Sequence, residues 1–339
     1  MPAPALTSVS PTDFAQSSAP VVCAHVGSAL LEAVGEDAVS FLHGQLSSDV
    51  QALLPGRGQY WSYNSPKGRM LANGVLWRPA SDGGRVLLIV AADLAETIRR
   101  RLSMFVLRSK VVINDVRDGY ALLGLAGAGA GDAARAALGI AVAPLTAASF
   151  KGDATAFTMP DGRIIVACPT ASAPIIHAAL ARHAVTADAQ MWRWHGIRVG
   201  VPKITAATSD LFVPQALNWD LLGGISFQKG CYPGQEIVAR MQYLGRLKER
   251  LYAFRTSAED VEPPTRLYSS VFGDQPCGTV VNAAPDPTGG SALLAVVQQA
   301  AVGADDLRLD MADGPSIARQ PLPYAIPEAS APRAPRSLS

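Results

Sequence analysis

An α+β fold, with helices packed on antiparallel sheets and a small all-β unit at the end, is what the sequence predicts. Three observations carry that expectation. Strand-like and helix-like stretches are mixed along residues 21–247 without regular alternation, which argues against a doubly wound parallel sheet. Beyond Lys248 the texture changes to short strands separated by Pro, Gly and Asp turns, as in a small barrel over residues 248–325. The chain has 339 residues, 49% of them apolar, enough for two or three cores.

Met1 to Pro20 is rich in Ala, Pro, Ser and Thr, with no basic segment leading into an apolar core. It reads as a flexible leader and not as a secretory signal. Val21 to Val26 reads as a strand. Gly35-Glu36-Asp37 opens a helix on which Val39, Leu42, Leu46, Val50 and Leu53 recur at spacings of three and four. His43 lies one position from that stripe and reads as a packed or solvent-edge histidine. Gln59–Tyr63 and Met70–Trp77 flank Asn64-Ser65-Pro66-Lys67-Gly68-Arg69, a hairpin with a basic tip. The turn Ser81-Asp82-Gly83-Gly84 leads to a strand at Val86–Val90, a helix from Asp93 to about Phe105 and a strand at Lys110–Ile113.

A similar series follows: strand Tyr120–Leu125, helix Gly131–Leu138, a hairpin turn at Pro160-Asp161-Gly162-Arg163 and a helix from Ala173 to His183. The glycines of Gly124–Gly131 lack the spacing of a dinucleotide loop. Met191 to Pro202 is helix-like, and its Trp192 and Trp194 are core fillers unless one lines a pocket. Lys203 to Gly224 is long, turn-rich and too apolar for disorder, the profile of a functional loop. The barrel strands are Leu251–Arg255, Arg266–Phe272, Cys277–Asn282 and Leu293–Val297, and the Pro/Ala/Ser/Arg-rich tail 326–339 is expected to be disordered.

Only 17% of residues are charged and the formal net charge is +1, so no whole-molecule field favours nucleic acid or anionic lipid. Arg246, Lys248 and Arg250 form a short basic cluster that reads as a solvated face, and no stable nucleic-acid binding is expected. Cys23, Cys168, Cys231 and Cys277 lie far apart without metal-site spacing, so no metal is assigned. The absence of a long apolar run argues against a membrane span, and scattered reduced cysteines fit a cytoplasmic protein.

The densest chemistry is in Phe227-Gln228-Lys229-Gly230-Cys231-Tyr232-Pro233-Gly234-Gln235-Glu236, just before the amphipathic run Ile237-Val238-Ala239-Arg240-Met241. Gly230 and Gly234 permit backbone angles closed to other residues, and Pro233 suits a helix's first turn. Cys231 is therefore expected on a tight turn at a helix start, where orphan N–H groups, the helix dipole and the neighbouring Lys229 favour a thiolate. The alternative is a buried cysteine filling a corner behind the Gly-Pro turn.

The run Phe212-Val213-Pro214-Gln215, followed by Leu221 to Arg240, resembles the signature of the YgfZ-type folate-binding proteins, a family related to the aminomethyltransferase (T-protein) of the glycine cleavage system. Gly35-Glu36-Asp37, Gln45-Leu46, Asp49-Val50, Pro66-Lys67-Gly68-Arg69 and Pro321-Leu322-Pro323-Tyr324 extend the likeness over most of residues 30–325. The resemblance implies a three-domain ring around a central folate channel: two α+β domains, one interrupted by the other, and a C-terminal barrel. It implies tetrahydrofolate or a one-carbon derivative as cofactor, and iron–sulfur enzymes or cluster-assembly proteins as partners of a monomer. The implied role is assembly or maintenance of clusters, including those of tRNA-modifying enzymes. Cys231 and Lys229 are its implied reactive pair; Gly230, Tyr232 and Gly234 its structural motif; Trp192, Asn73, Arg198, Gln235, Glu236 and Arg240 its folate contacts.

The departures bear on activity. Where the aminomethyltransferases carry an acidic pair on the strand after Lys67-Gly68-Arg69, this chain has Ala72-Asn73, and Asn73 can hydrogen-bond but carries no charge. Arg198 stands at a second acidic position, either to hold the glutamate tail of folate or because the two sequences are offset there. A binding factor whose Cys231 shares a cluster ligand fits these changes, since one thiolate cannot enclose a cluster. The competing reading is a folate-dependent aminomethyl or methyl transferase. A cysteine hydrolase would need a histidine base, and His25, His43, His177, His183 and His195 are all distant from Cys231 in sequence.

Overall fold

The computed structural model describes residues 19–24, 26–80, 84–243, 245 and 247–327. Most of the leader and tail, His25, residues 81–83 and Arg246 lie outside the described residues. In chain order, β1 (Val21–Ala24) precedes β2 (Ser28–Val34), α1 (Ala38–Gln45), β3 (Gly58–Asn64), β4 (Met70–Trp77), β5 (Arg85–Ala91), α2 (Ala95–Ser103) and β6 (Val112–Asp115). Next come β7 (Tyr120–Ala126), α3 (Ala130–Leu138), β8 (Ala147–Phe150), β9 (Ala154–Thr158), β10 (Ile164–Pro169), α4 (Ala173–Leu180), β11 (Val185–Ala187) and α5 (Ala189–Arg198). After the loop 199–234 follow α6 (Gln235–Tyr243), β12 (Glu249–Thr256), β13 (Arg266–Tyr268), β14 (Gly278–Pro285), β15 (Ser291–Gln298), α7 (Gln299–Val302), β16 (Arg308–Leu309) and β17 (Ala318–Gln320).

Three sheets organise these elements. The first has the order β3-β4-β5-β2-β6 and is antiparallel throughout. The second, β11-β1-β7-β10-β9-β8, takes β1 into its interior, so the first sheet is threaded between two visits to the second. The third, β16-β13-β14-β15-β12-β17, is a curled half-barrel whose edges approach through the Arg308–Ser316 bridge and the Ile317 N–H bond to the Leu307 carbonyl. The α+β class and the late barrel-like unit are as expected.

Several elements differ from the sequence reading. The helix opened by Gly35-Glu36-Asp37 stops at Gln45. Leu46, Val50 and Leu53 are buried, but in a loop, where Leu46 bridges to Tyr63 and Ser47 exchanges hydrogen bonds with Ser62. β2 was not expected: its Ala, Leu and Glu content is helix-like, and pairing with both β5 and β6 overrides that preference. The strand expected at Lys110–Ile113 is shifted to Val112–Asp115, and the helices expected to reach Phe105 and His183 end at Ser103 and Leu180. Arg266–Phe272 is divided into β13 and a 3-10 turn at Ser270–Phe272.

Specific contacts lock the layers. Trp77 stacks on Phe157 at 5.7 Å between centroids and donates its indole N–H to Thr155 at 3.2 Å, joining the first two sheets. Arg85 joins them again, reaching Glu32, Asp153 (2.7 Å) and the Tyr120 hydroxyl (2.9 Å). Asn282 on β14 accepts from the Lys203 N–H at 2.9 Å and donates to its carbonyl at 2.7 Å, holding the loop after α5 on the half-barrel. The motif Pro321-Leu322-Pro323-Tyr324 closes the structure, with the Tyr324 hydroxyl donating to the Gly200 carbonyl at 2.6 Å.

Candidate functional site

A cavity of about 620 Å³ lies where all three sheets meet, a size suited to a small-molecule ligand. The first sheet contributes Tyr60, Asn73, Val75 and Ile89; the second, Ile165 and the nearby Arg163; α5, Trp192 and Arg193; the half-barrel side, Glu262 and Asn282. Gly74 also lines it, and the backbone of β5 approaches there so closely that a Cβ would stand 1.9 Å from the Ile89 carbonyl oxygen. Trp192 is buried and packs so closely on Gly124 that a Cβ there would fall 2.5 Å from its ring. The Arg163 guanidinium lies 4.9 Å from the Trp192 ring centroid.

Arg163 is the buried charge of this cavity. It makes a two-point contact with Asp161 (3.0 and 2.8 Å), and the Tyr60 hydroxyl donates to the same carboxylate at 3.0 Å. Burial pushes the Asp161 carboxyl up, but Arg163 and its hydrogen bonds outweigh this and hold it below the ordinary carboxylate value. Lys203, also on the wall, donates to the carbonyls of Val26 and Gly27 and to Ser28 Oγ, and burial brings its ammonium down to about 8. The sequence reading missed Arg163, Asp161, Tyr60 and Lys203. A detectable signal was the opposite charges of Asp161 and Arg163 in a turn between strands too apolar to tolerate an unpaired ion.

Asn73 lines the cavity, but its amide is engaged on both sides: Nδ2 donates to the Pro202 carbonyl and Oδ1 accepts from the Ile204 N–H, each at 2.8 Å. It pins the segment that carries Lys203. Arg198 is exposed, its guanidinium 4.9 Å from the Trp194 ring centroid, and it is not among the cavity-lining residues. Trp194 packs beside it and donates to Asp286 at 3.3 Å.

The cysteine turn is a second locus. Gly234, at φ +76°, is seated on the tip of the β3–β4 hairpin, where a Cβ would come 2.3 Å from the Ser65 carbonyl oxygen. Gly68, at φ +70°, meets Ile237 of α6 in the same way, with 2.8 Å to its Cβ. Gln215 donates to the Val238 carbonyl at 2.7 Å. Three separate motifs of the sequence thus meet in one backbone seat. Gly234→Ala should cost about 2 kcal/mol or more and displace the turn, since it adds both a steric clash and a strained φ. Thermal unfolding with a Tm equal to wild type would refute this account of the seat.

Cys231 is exposed on that turn, whereas Cys23, Cys168 and Cys277 are buried, which overturns the alternative of a corner-filling cysteine. Burial raises those three thiols, Cys23 to about 12 and the others to about 11. Pro233 precedes the helix by two residues and does not stand inside its first turn. Lys229 does not act as expected: its buried ammonium donates to the His43 and Leu46 carbonyls at the end of α1 and lies 4.9 Å from the Tyr232 ring centroid. Burial lowers it to about 8, with Asp49 opposing. Gln235 braces the turn, accepting from the Tyr232 N–H at 3.3 Å, while Glu236 and Arg240 pair at 3.3 Å on the exposed face of α6. None of these three lines the cavity.

His43, set aside on sequence grounds, stands beside this turn. Its Nε2 is 3.9 Å from where a Cβ on Gly230 would be, and its Nδ1 is 3.1 Å from Asp49. Burial and Lys229 lower its pKa against the pull of Asp49. Among the described residues no group of three His, Cys, Asp or Glu side chains could hold a metal, and no helix is long and apolar enough to cross a membrane.

The architecture is that of the glycine cleavage aminomethyltransferases: aminomethyltransferase T from Bartonella henselae superposes with a TM-score of 0.72 over 90% of this chain and 86% of that one, at 14% identity. No family model matches the chain. Curated relatives are closer in sequence. The tRNA-modifying protein YgfZ of Klebsiella pneumoniae (strain 342) is 33% identical over 309 residues, covering 89% of this chain and 92% of that protein. Those of Yersinia pestis (strain Pestoides F) and Edwardsiella ictaluri (strain 93-146) are also 33% identical, over 88% and 86% of this chain and 91% and 88% of theirs. The chain belongs to the YgfZ family.

Proposed function

We propose that this protein is a tetrahydrofolate-binding accessory factor for the assembly or maintenance of iron–sulfur enzymes, cluster-dependent tRNA modification among them. It acts as a cytoplasmic monomer, with the central cavity taking tetrahydrofolate or a one-carbon derivative and Cys231 presenting the reactive thiol. The observation that carries this reading is the cavity itself. Its volume suits a ligand of that size, Trp192 and the aliphatic side chains supply apolar wall, and Lys203, Arg193 and Glu262 supply charge. Gly124 lets Trp192 pack against the second sheet, since a Cβ there would strike its ring.

The runner-up, a folate-dependent aminomethyl or methyl transferase, is disfavoured by Asn73. Its amide carries no charge and is already engaged by Pro202 and Ile204, so it can neither take nor give a proton at that position. Folate, when bound, would supply a one-carbon carrier; what the chain itself does is bind, orient and shield. Calorimetry with tetrahydrofolate is the test. Trp192→Ala should weaken binding by about 1–3 kcal/mol, and Trp192→Phe by less, with folding checked by circular dichroism. Unchanged affinity in a folded Trp192→Ala protein would remove Trp192 from the site, and no binding by wild type would sink the folate reading.

A further inference from the structure

Asp161 and Arg163 stand at different depths. Arg163 lines the central cavity and Asp161 does not, so the cation fronts the cavity while its counter-ion lies behind it. Nε and Nη2 of the guanidinium are spent on Asp161, at 3.0 and 2.8 Å, with the Tyr60 hydroxyl against the same fork. Nη1 projects from the opposite side. It lies 3.0 Å from where a Cβ on Gly196 would be, so a side chain on α5 would crowd it, and it donates to no acceptor among the described residues.

The surroundings select the kind of acceptor that fits. Arg163 is 7% exposed, and its charge is already balanced by Asp161 at 10%. A carboxylate brought to Nη1 would leave net negative charge in a buried place, whereas a neutral carbonyl completes the hydrogen bonding without adding charge. The wall on either side is flat or apolar. Trp192 lies against the guanidinium, Met159 donates its backbone N–H to the Arg163 carbonyl, and Ile197 follows Gly196; all three line the cavity. Unpaired charge is found instead on Arg193 and Glu262, which line the cavity at exposed positions and pair with no side chain among the described residues. Ionised parts of a ligand are accommodated there, and a neutral ring at Arg163.

We propose that Arg163 is a specificity-determining residue of the cavity, whose Nη1 donates to the ring carbonyl of a flat, neutral lactam and rejects a ring carrying an amino group at that position. The inference rests on the folate reading above, in which the ring is the pterin and the carbonyl its oxo group. An amino group presents hydrogens to a donor that needs a lone pair, and an aminopteridine that takes up a proton is further repelled by the cation.

The test compares tetrahydrofolate with tetrahydroaminopterin, in which an amino group replaces the ring oxo group, by anaerobic calorimetry on the full-length protein. Wild type should bind the oxo ligand about tenfold or more tighter. The double substitution Asp161→Asn with Arg163→Met removes both charges together and keeps an acceptor for the Tyr60 hydroxyl, and in it the preference should shrink to about twofold or less. Folding of that variant is checked by circular dichroism, and the preference of wild type is read without any substitution. p-Aminobenzoylglutamate, which carries the carboxylates and no pterin, should not tell the two proteins apart. Equal binding of the two pteridines by wild type, tighter binding of the amino ligand, an undiminished preference in the folded double variant, or loss of p-aminobenzoylglutamate binding in that variant would overturn the assignment. Absence of tetrahydrofolate binding altogether would remove the folate reading and this one with it, a result distinct from binding without discrimination.

Discussion

Asp161→Asn should lower the unfolding free energy by about 3–5 kcal/mol, because it leaves the buried Arg163 guanidinium with its charge and without a counter-ion. Both side chains are nearly inaccessible, at 7% and 10% exposure, so water cannot take over the lost role. Tyr60→Phe removes only one hydrogen bond to the same carboxylate and should cost about 1 kcal/mol. The folded Asp161 carboxyl titrates below its ordinary 3.8. Its contribution is therefore fully present at neutral pH and is lost as pH falls through that lower value. Chemical denaturation should accordingly show a wide gap between wild type and Asp161→Asn at neutral pH, narrowing in strong acid. A loss below about 1 kcal/mol at pH 7 would show that the pair is not the anchor of the cavity wall.

Cys231→Ser should abolish support of cluster-dependent enzymes in cells while leaving folding and folate affinity close to wild type. The side chain is exposed, so near-isosteric replacement creates no cavity, and a serine hydroxyl stays protonated at neutral pH and is a poor iron ligand. The other cysteines are internal controls. Cys23, Cys168 and Cys277 are buried with raised thiol pKa values, so near pH 7 they should alkylate far more slowly than Cys231, and replacement by Ala or Val should cost only modest stability. Full complementation of a deletion strain by Cys231→Ser, with tetrahydrofolate binding intact, would end the thiol reading without touching the folate reading.

What the sequence disclosed follows from how local each feature is. The β3–β4 hairpin was legible because two alternating strands flank a Pro-Lys-Gly-Arg turn, and its observed limits differ from the expected ones by about a residue. α1 was overextended because Leu46, Val50 and Leu53 continue a helical spacing, while the tertiary pairing of Ser47 with Ser62 takes the backbone out of the helix. The cysteine turn was legible because its residues are contiguous. Its surroundings were not: Lys229 spans 186 residues to the His43 carbonyl, and Tyr60 spans 101 to Asp161. No periodicity reports contacts at such separations. The residues implied by the resemblance fall at two loci in the structure, a walled cavity with Trp192 and Asn73, and an exposed turn with Cys231.

The placement of β1 bears on how this chain is made. Val21–Ala24 lies between β7 and β11, so its neighbours in the sheet emerge from the ribosome only after the whole first sheet has been synthesised. During synthesis the first sheet can close on its own residues, whereas a short apolar strand, Val21-Val22-Cys23-Ala24, must wait unpaired beside it. The fold thus carries a built-in delay, and the early, exposed strand is the point at which a nascent chain depends on protection from aggregation.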